Sequence, residues 1–135
     1  MKKTSITILL LTFISFFNCK SIQNEKEKLL IGTWSQEMRA NDTKKFKFTE
    51  KRTVNFYHNN SKTNTYYYSV LDECPNKCRK YKSEWKIDYY LYLKSITDST
   101  KVKCYEIIFE QNKDISLRYL PLEKDTYEIL KRIKN

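Results

Sequence analysis

The sequence predicts an all-β protein, an eight-stranded antiparallel up-and-down barrel with a short helical turn before the first strand. Three observations predict it: hydrophobic residues that alternate along the chain, short polar connections between the alternating segments, and many aromatic residues. The chain has 135 residues, 15% of them aromatic, with only one Gly and two Pro. That length suits a single domain. The aromatic content excludes a disordered chain, which would bury too little apolar surface to offset its ordering entropy.

The clearest predicted strand spans residues 83–94. One face carries the apolar residues Trp85, Ile87, Tyr89, Leu91 and Leu93. This period of two is typical of a half-buried antiparallel strand. Seven further strands are predicted at 33–38, 44–49, 53–58, 64–71, 102–110, 115–120 and 126–133, and a helical turn at 25–30. Connections rich in Asn, Asp and Ser favour turns, and closure into a barrel removes the exposed sheet edges.

The N-terminal segment is predicted to be a signal peptide at residues 1–18. Lys2 and Lys3 precede an apolar run at 6–17, which is too short to span a bilayer as a helix. Cys19, which follows Asn18 at the end of this run, resembles the acylated Cys of bacterial lipoproteins, although Phe16 and Phe17 depart from the usual pattern. The resemblance implies lipidation at Cys19, a tether over residues 19–28, and a membrane-anchored protein of the cell envelope, with the outer membrane favoured.

Cleavage after Ser21 is the alternative, and it would give a secreted or periplasmic soluble protein. The formal net charge of the chain is +10. Its basic residues are spread along the chain, so we expect no nucleic-acid partner and interpret the charge as mainly solvated. The densest cluster is Lys77, Arg79, Lys80, Lys82 and Lys86. We expect a monomer.

The segment Gly32-Thr33-Trp34, placed after the helical turn, resembles the opening of lipocalins and of bacterial lipocalin-like domains. The resemblance implies a lipocalin-like barrel over residues 29–135. It also implies that Trp34 plugs one end of the barrel and that Gly32 lets the backbone pass close beneath it. A basic residue of the last strand, Lys131 or Arg132, is then expected to lie across Trp34.

The remaining cysteines are Cys74, Cys78 and Cys104. In an oxidising compartment we expect a disulfide between Cys74 and Cys78 across a tight loop; pairing of Cys104 with either of them is the alternative. A metal site would need all three cysteines and His58, which nothing in the sequence brings together. We therefore predict no metal and no cofactor.

No catalytic residues are predicted, because the only His stands beside asparagines at a strand end and no Ser or Cys has the context of a nucleophile. Glu106 and Glu110 are expected to face solvent. The predicted function is a non-catalytic module that binds a small apolar ligand. Its cavity would be lined by Phe46, Phe56, Tyr68, Tyr89 and Tyr105. Alternatively these rings fill the barrel, and the protein is an inhibitor or envelope scaffold that contacts an envelope protein through the Cys74–Cys78 loop.

Overall fold

The computed structural model describes residues 24–39, 42–84, 86–120 and 127–134. The predicted signal peptide, Cys19 and Ser21 lie outside these residues. The elements are α1 (Glu25–Leu30), β1 (Gly32–Arg39), β2 (Asp42–Phe48), β3 (Thr53–His58), β4 (Ser61–Leu71), a 3-10 turn (Arg79–Tyr81), β5 (Tyr89–Ser95), β6 (Val102–Phe109), β7 (Ile115–Tyr119) and β8 (Glu128–Arg132).

The eight strands form one closed antiparallel barrel in sequence order, as the sequence predicted. Most neighbouring strands share five or more residue pairs. Among the described residues, β8 forms fewer pairs, three with β7 and two with β1. Closure leaves each strand between two neighbours, which satisfies backbone groups that an open sheet would expose at its edges.

The barrel interior is an apolar core formed by one face of every strand. Because side chains alternate along a strand, residues two apart share the interior, as Phe46 and Phe48 do on β2. The buried members are Leu30, Trp34, Phe46, Phe48, Val54, Tyr66, Tyr68, Val70, Leu91, Leu93, Tyr105, Ile107, Ile115, Leu117 and Leu130.

A second cluster of buried residues lies outside the barrel, between the outer faces of β5–β7 and the long connection at residues 72–88, here called the β4–β5 loop. This outer cluster contains Cys74, Cys78, Tyr90, Cys104 and Leu120. Tyr90 and Cys104 alternate with interior residues on their strands, so their side chains leave the barrel on its outer face. The loop covers them.

The disulfide joins Cys78 to Cys104, and Cys74 keeps a free buried thiol. The predicted Cys74–Cys78 bridge is therefore corrected, and one of the alternative pairings is present. The reason is the packing of the outer cluster: Cys104 points outward from β6 at the place where the loop crosses it. The bond fixes the loop to the barrel wall across a sequence separation of 26 residues.

The strand predicted at 83–94 begins later, at Tyr89. Leu91 and Leu93 face the interior as expected, whereas Ile87 packs against the outer cluster. Ile87 belongs to the end of the β4–β5 loop, which passes over the outer face before the chain enters β5. Apolar and polar residues alternate in the sequence on both sides of Tyr89, but pairing of the backbone with neighbouring strands begins only at Tyr89. Trp85 lies outside the described residues.

The helix α1 is tied to the barrel, so residues 24–28 are more than a tether. The Asn24 side chain caps the helix by accepting a hydrogen bond from the Glu27 amide at 2.8 Å, and it donates one to the Val70 carbonyl at 2.8 Å. The buried Glu27 carboxylate accepts from the Val70 amide at 3.2 Å and pairs with Arg52 at 2.9 Å. These contacts close the barrel end at which the β2–β3 turn lies.

Candidate ligand-binding cavity

The barrel contains a cavity of about 480 Å³ at the end opposite α1. This volume lies within the range of about 300–1,000 Å³ that is usual for small-molecule sites. Six strands contribute to the lining, which consists of Lys44, Lys45, Phe46, Phe56, Tyr57, His58, Thr63, Asn64, Lys103, Tyr105, Tyr119 and Glu128. The cavity is open to solvent, and the exposed residues His58, Thr63 and Asn64 form its rim.

Aromatic rings form the apolar wall of the cavity. The Phe46 and Phe56 rings meet edge to face with centroids 4.7 Å apart, and Tyr66 packs on Phe56 at 5.0 Å. On the other side, Tyr105 and Tyr119 lie 5.2 Å apart. Such ring pairs stabilise each other beyond the effect of area burial, by about 0.5–1.5 kcal/mol each. The wall is therefore held in shape without a ligand.

Three of the five residues predicted to line a cavity are brought together here: Phe46, Phe56 and Tyr105. Tyr68 lies in the filled half of the barrel, where its ring packs on Phe48 and its hydroxyl donates to the Thr49 carbonyl at 3.2 Å. Tyr89 packs instead against Phe109, with the Lys26 ammonium 5.0 Å from the Tyr89 ring centroid. The barrel is thus filled towards α1 and hollow at its other end.

Charged groups of the lining were not identified from the sequence. Lys103 follows the same alternation as Tyr105 and Ile107 on β6, and its ammonium lies 5.3 Å from the Phe56 ring centroid and 5.2 Å from that of Tyr66. Because Lys103 alternates in step with these inward-facing residues, its position in the β6 sequence could have identified it as a lining residue. Burial, followed by the neighbouring Tyr119 and Glu128, raises the pKa of Tyr105 far above its ordinary value. Its hydroxyl therefore remains protonated and can donate.

At the closed end, the three residues implied by the lipocalin resemblance lie together. Trp34 is 1% exposed, and its Nε1 donates to the Leu30 carbonyl at 2.7 Å. The Arg132 guanidinium lies 4.5 Å from the Trp34 ring centroid and donates to the carbonyls of Ile31, at 2.9 Å, and Leu29. Gly32 has φ +132°, and a Cβ there would lie 3.2 Å from Arg132 Nη1. This packing seals the barrel floor.

Glu106 was expected to face solvent, and that expectation was wrong. It is 0% exposed, because the β4–β5 loop covers the outer face of β6. Its carboxylate accepts hydrogen bonds from Arg118 Nε at 2.8 Å, the Ser83 amide at 2.8 Å and the Tyr127 hydroxyl at 2.9 Å. Burial alone would raise the Glu106 pKa, but these bonds together hold it below its ordinary value. Burial and the hydrogen bond to Glu106 raise the pKa of Tyr127 to about 12.

The free thiol of Cys74 borders a second, smaller hollow of about 380 Å³ between the β4–β5 loop and β5. Burial raises its pKa, although Lys82 and Arg79 act in the opposite direction. A protonated thiol is a poor nucleophile and a poor metal ligand. The basic cluster of the loop, Lys77 to Lys86, is exposed.

His58 stands at the exposed rim of the cavity, 3.3 Å from Asp42. Within the described ranges, no group of three or more His, Cys, Asp or Glu side chains is placed to hold a metal ion. No helix in that part of the chain is long and apolar enough to cross a membrane.

Comparison with known proteins gives a structural likeness and no sequence family. No protein-family model and no curated protein sequence matches the chain. The fold is similar to that in the crystal structure of Tp0751 (pallilysin) from Treponema pallidum, with a TM-score of 0.51 and 14% sequence identity over 99% of this chain and 100% of that one. The protein is thus an eight-stranded antiparallel barrel that resembles pallilysin, with a lipocalin-like fold.

Proposed function

We propose that this protein is a non-catalytic module of the bacterial cell envelope that binds one small apolar ligand inside its barrel. The observation that carries the proposal is the asymmetric interior: a sealed floor at Trp34 and Arg132, and an aromatic cavity of about 480 Å³ at the other end. Burying apolar ligand surface against these rings stabilises a complex by about 25 cal/mol per Å² before the costs of association. The likeness to pallilysin supports the fold.

The arrangement of side chains around the cavity supports a non-catalytic role. His58, the one imidazole in the chain, lies at the exposed rim beside Asp42. The Thr63 hydroxyl donates to the Phe56 carbonyl at 3.3 Å, so this hydroxyl is directed to the backbone. A general base must lie within hydrogen-bond reach of the proton that it removes, and the His58 imidazole instead pairs with Asp42 at 3.3 Å.

Envelope attachment is the second part of the proposal, and it is supported by the sequence. The short apolar run at 6–17 followed by Cys19 favours export and acylation, and several acyl chains on one Cys give stable membrane attachment. We propose a monomer held at the membrane, with the outer membrane favoured. The Cys78–Cys104 disulfide is consistent with an oxidising compartment.

The binding proposal can be tested with the neutral apolar dye N-phenylnaphthylamine, whose fluorescence increases on transfer from water to an apolar site. Asn64 pairs with the inward-facing Phe56 and lines the cavity, so Asn64→Trp should fill the mouth and abolish dye binding. Lys94→Trp, on the exposed face of β5, is the matched control and should bind the dye as the wild type does. Equal dye binding by the wild type and Asn64→Trp would contradict the proposal.

The anchor can be tested by the mass of the mature protein expressed with its N-terminal segment in a bacterium. Acylation predicts a chain that begins at Cys19 and carries added acyl mass, and that partitions into detergent. Cys19→Ser should remove both properties. A mature chain that begins at Ile22 without added mass would instead establish cleavage after Ser21 and a soluble protein.

The alternative function, an inhibitor or scaffold that uses the β4–β5 loop, was expected to have a filled barrel. The loop does present a fixed surface, since Cys78–Cys104 holds it and Tyr81 is 39% exposed. The cavity at the barrel mouth nevertheless favours ligand binding as the primary proposal.

A further inference from the structure

We propose that the ligand is an amphipathic anion, with an apolar body against the aromatic wall and an acidic head group bound by Lys103. This inference rests on the proposed binding function and specifies the chemistry of its ligand. It depends on the position of Lys103, on the balance of charge around the cavity, and on the hydroxyl of Tyr105.

Lys103 is an inward-facing cation in a largely apolar barrel. It pairs across the sheet with Leu93, which is fully buried, and its strand neighbours on the same face are Tyr105 and Ile107. Its ammonium is near the faces of Phe56 and Tyr66, which offset part of the cost of removing the charge from water. Within the described residues, no carboxylate oxygen lies within 4.0 Å of its Nζ. The charge is thus available to a ligand.

The charges around the cavity favour an anion. The lining contains three lysines and one carboxylate, that of Glu128. Lys45 is held by Asn60 through a hydrogen bond of 2.6 Å, and Lys44 shares the inward phase of Phe46. A concave site with one dominant sign of charge and apolar walls concentrates oppositely charged solutes. A purely apolar ligand would gain nothing from this excess of positive charge.

Tyr105 supplies a neutral donor in the same cavity. Its ring packs on Tyr119 and its hydroxyl keeps its proton well above neutral pH. An acid group at the mouth can accept one hydrogen bond from a tyrosine hydroxyl and one from an ammonium, and hydrogen bonds that involve ionised groups are the stronger kind.

The experiment compares three probes of equal chain length by isothermal titration calorimetry: decanoate, decanol and decyltrimethylammonium. We expect decanoate to bind at least about tenfold more tightly than decanol, which corresponds to one charge-assisted hydrogen bond, and the cation to bind most weakly. Lys103→Met should remove most of the preference for decanoate and leave decanol binding within about threefold. Lys94→Met, an exposed Lys on the neighbouring strand, should change neither. Thermal unfolding of each variant checks its folding.

Glu128→Gln provides a change of opposite sign, because it removes the carboxylate of the lining and should strengthen decanoate binding. Equal affinity for decanoate and decanol, unchanged by Lys103→Met, would overturn the anion inference and leave the apolar site intact. Failure of all three probes to bind would overturn the proposed function as well.

Phosphatidylglycerol vesicles distinguish the source of the anion. If the wild type does not bind decanoate, and if both Lys103→Met and Asn64→Trp still bind the vesicles, the anion is recognised by the protein surface. That result would overturn the inference.

Discussion

The buried ion pair between Glu106 and Arg118 should be a main stabiliser of the β4–β5 loop, and Glu106→Gln tests this. The two side chains lie in the outer cluster region with 0% and 5% of their side-chain surface exposed, and their hydrogen bond is 2.8 Å long. Removing one partner of a buried pair costs about 3–5 kcal/mol, because the other charge remains buried without compensation. The Gln amide has one oxygen, so it can accept either from Ser83 or from the donors on the Oε2 side, Arg118 and Tyr127. Since part of the hydrogen bonding is kept, we expect a loss of about 3 kcal/mol, at the low end of that range.

Urea unfolding followed by circular dichroism measures this loss. With a typical urea slope of about 1–3 kcal/mol per M, the midpoint should fall by about 1–3 M. Glu110→Gln is the matched control, since Glu110 is exposed and lies just after β6; it should change the free energy of unfolding by about 0.5 kcal/mol or less. The double variant Glu106→Leu/Arg118→Met should lose less than the sum of the two single variants. A loss below about 1 kcal/mol for Glu106→Gln, or strict additivity in the double variant, would refute this reasoning.

The same carboxylate predicts the direction of the pH dependence. The Glu106 pKa in the folded protein lies below the ordinary value of 4.5. A lowered folded pKa contributes stability that is fully present above the unfolded pKa and is lost as the pH falls through the folded pKa. The wild type should therefore lose stability as the pH falls below about 4.5, and Glu106→Gln should lose less over that window. Parallel pH profiles for the two proteins would contradict the assignment.

Three further predictions concern the contacts that close the barrel at Gly32 and Arg132 and the disulfide that holds the β4–β5 loop. Gly32→Ala should lower the free energy of unfolding by about 1–3 kcal/mol, because φ +132° strains any residue with a Cβ; a melting temperature equal to that of the wild type would contradict this. Arg132→Met should destabilise by about 1–3 kcal/mol in urea unfolding, since it removes the cation over Trp34 and two hydrogen bonds to backbone carbonyls, and Arg132→Lys should recover only part of the loss. Cys78→Ser should cost about 3 kcal/mol, as expected for a bridge of this span, whereas Cys74→Ser should cost less. A greater loss for Cys74→Ser would mean that Cys74 pairs with Cys104, and equal losses of about 3 kcal/mol would mean that Cys74 pairs with Cys78.

Most of the barrel, but only part of the cavity lining, could be predicted from the sequence. Alternation identified the eight strands because each interior face must be apolar, and Phe46, Phe56 and Tyr105 were placed correctly on inward faces by that rule. It could not rank depth along the barrel axis, so Tyr68 and Tyr89, which lie in the filled half, were grouped with the cavity residues. Depth depends on strand tilt and register, and neither is encoded in a local pattern.

Burial of residues on the outer face of the barrel was not predicted, for a different reason. Outward positions of a barrel are expected to be polar, and Glu106 and Arg118 fit that expectation. The chain instead folds the β4–β5 loop back over these positions, and only long-range contacts reveal this. The cysteine pairing was mistaken for the same reason. Nearness in sequence favoured Cys74 and Cys78, whereas the loop brings Cys78 to Cys104.

The covered outer wall has a consequence for anyone who wishes to reshape this protein. Shortening residues 72–88 would leave Tyr90, Cys104 and Leu120 uncovered as an apolar stripe, and such stripes invite self-association. This segment should therefore be treated as a required part of the folding unit when shortened forms or grafted peptides are designed. Added sequence is better placed in the exposed β5–β6 turn around Ser99, where no buried side chain depends on the backbone path.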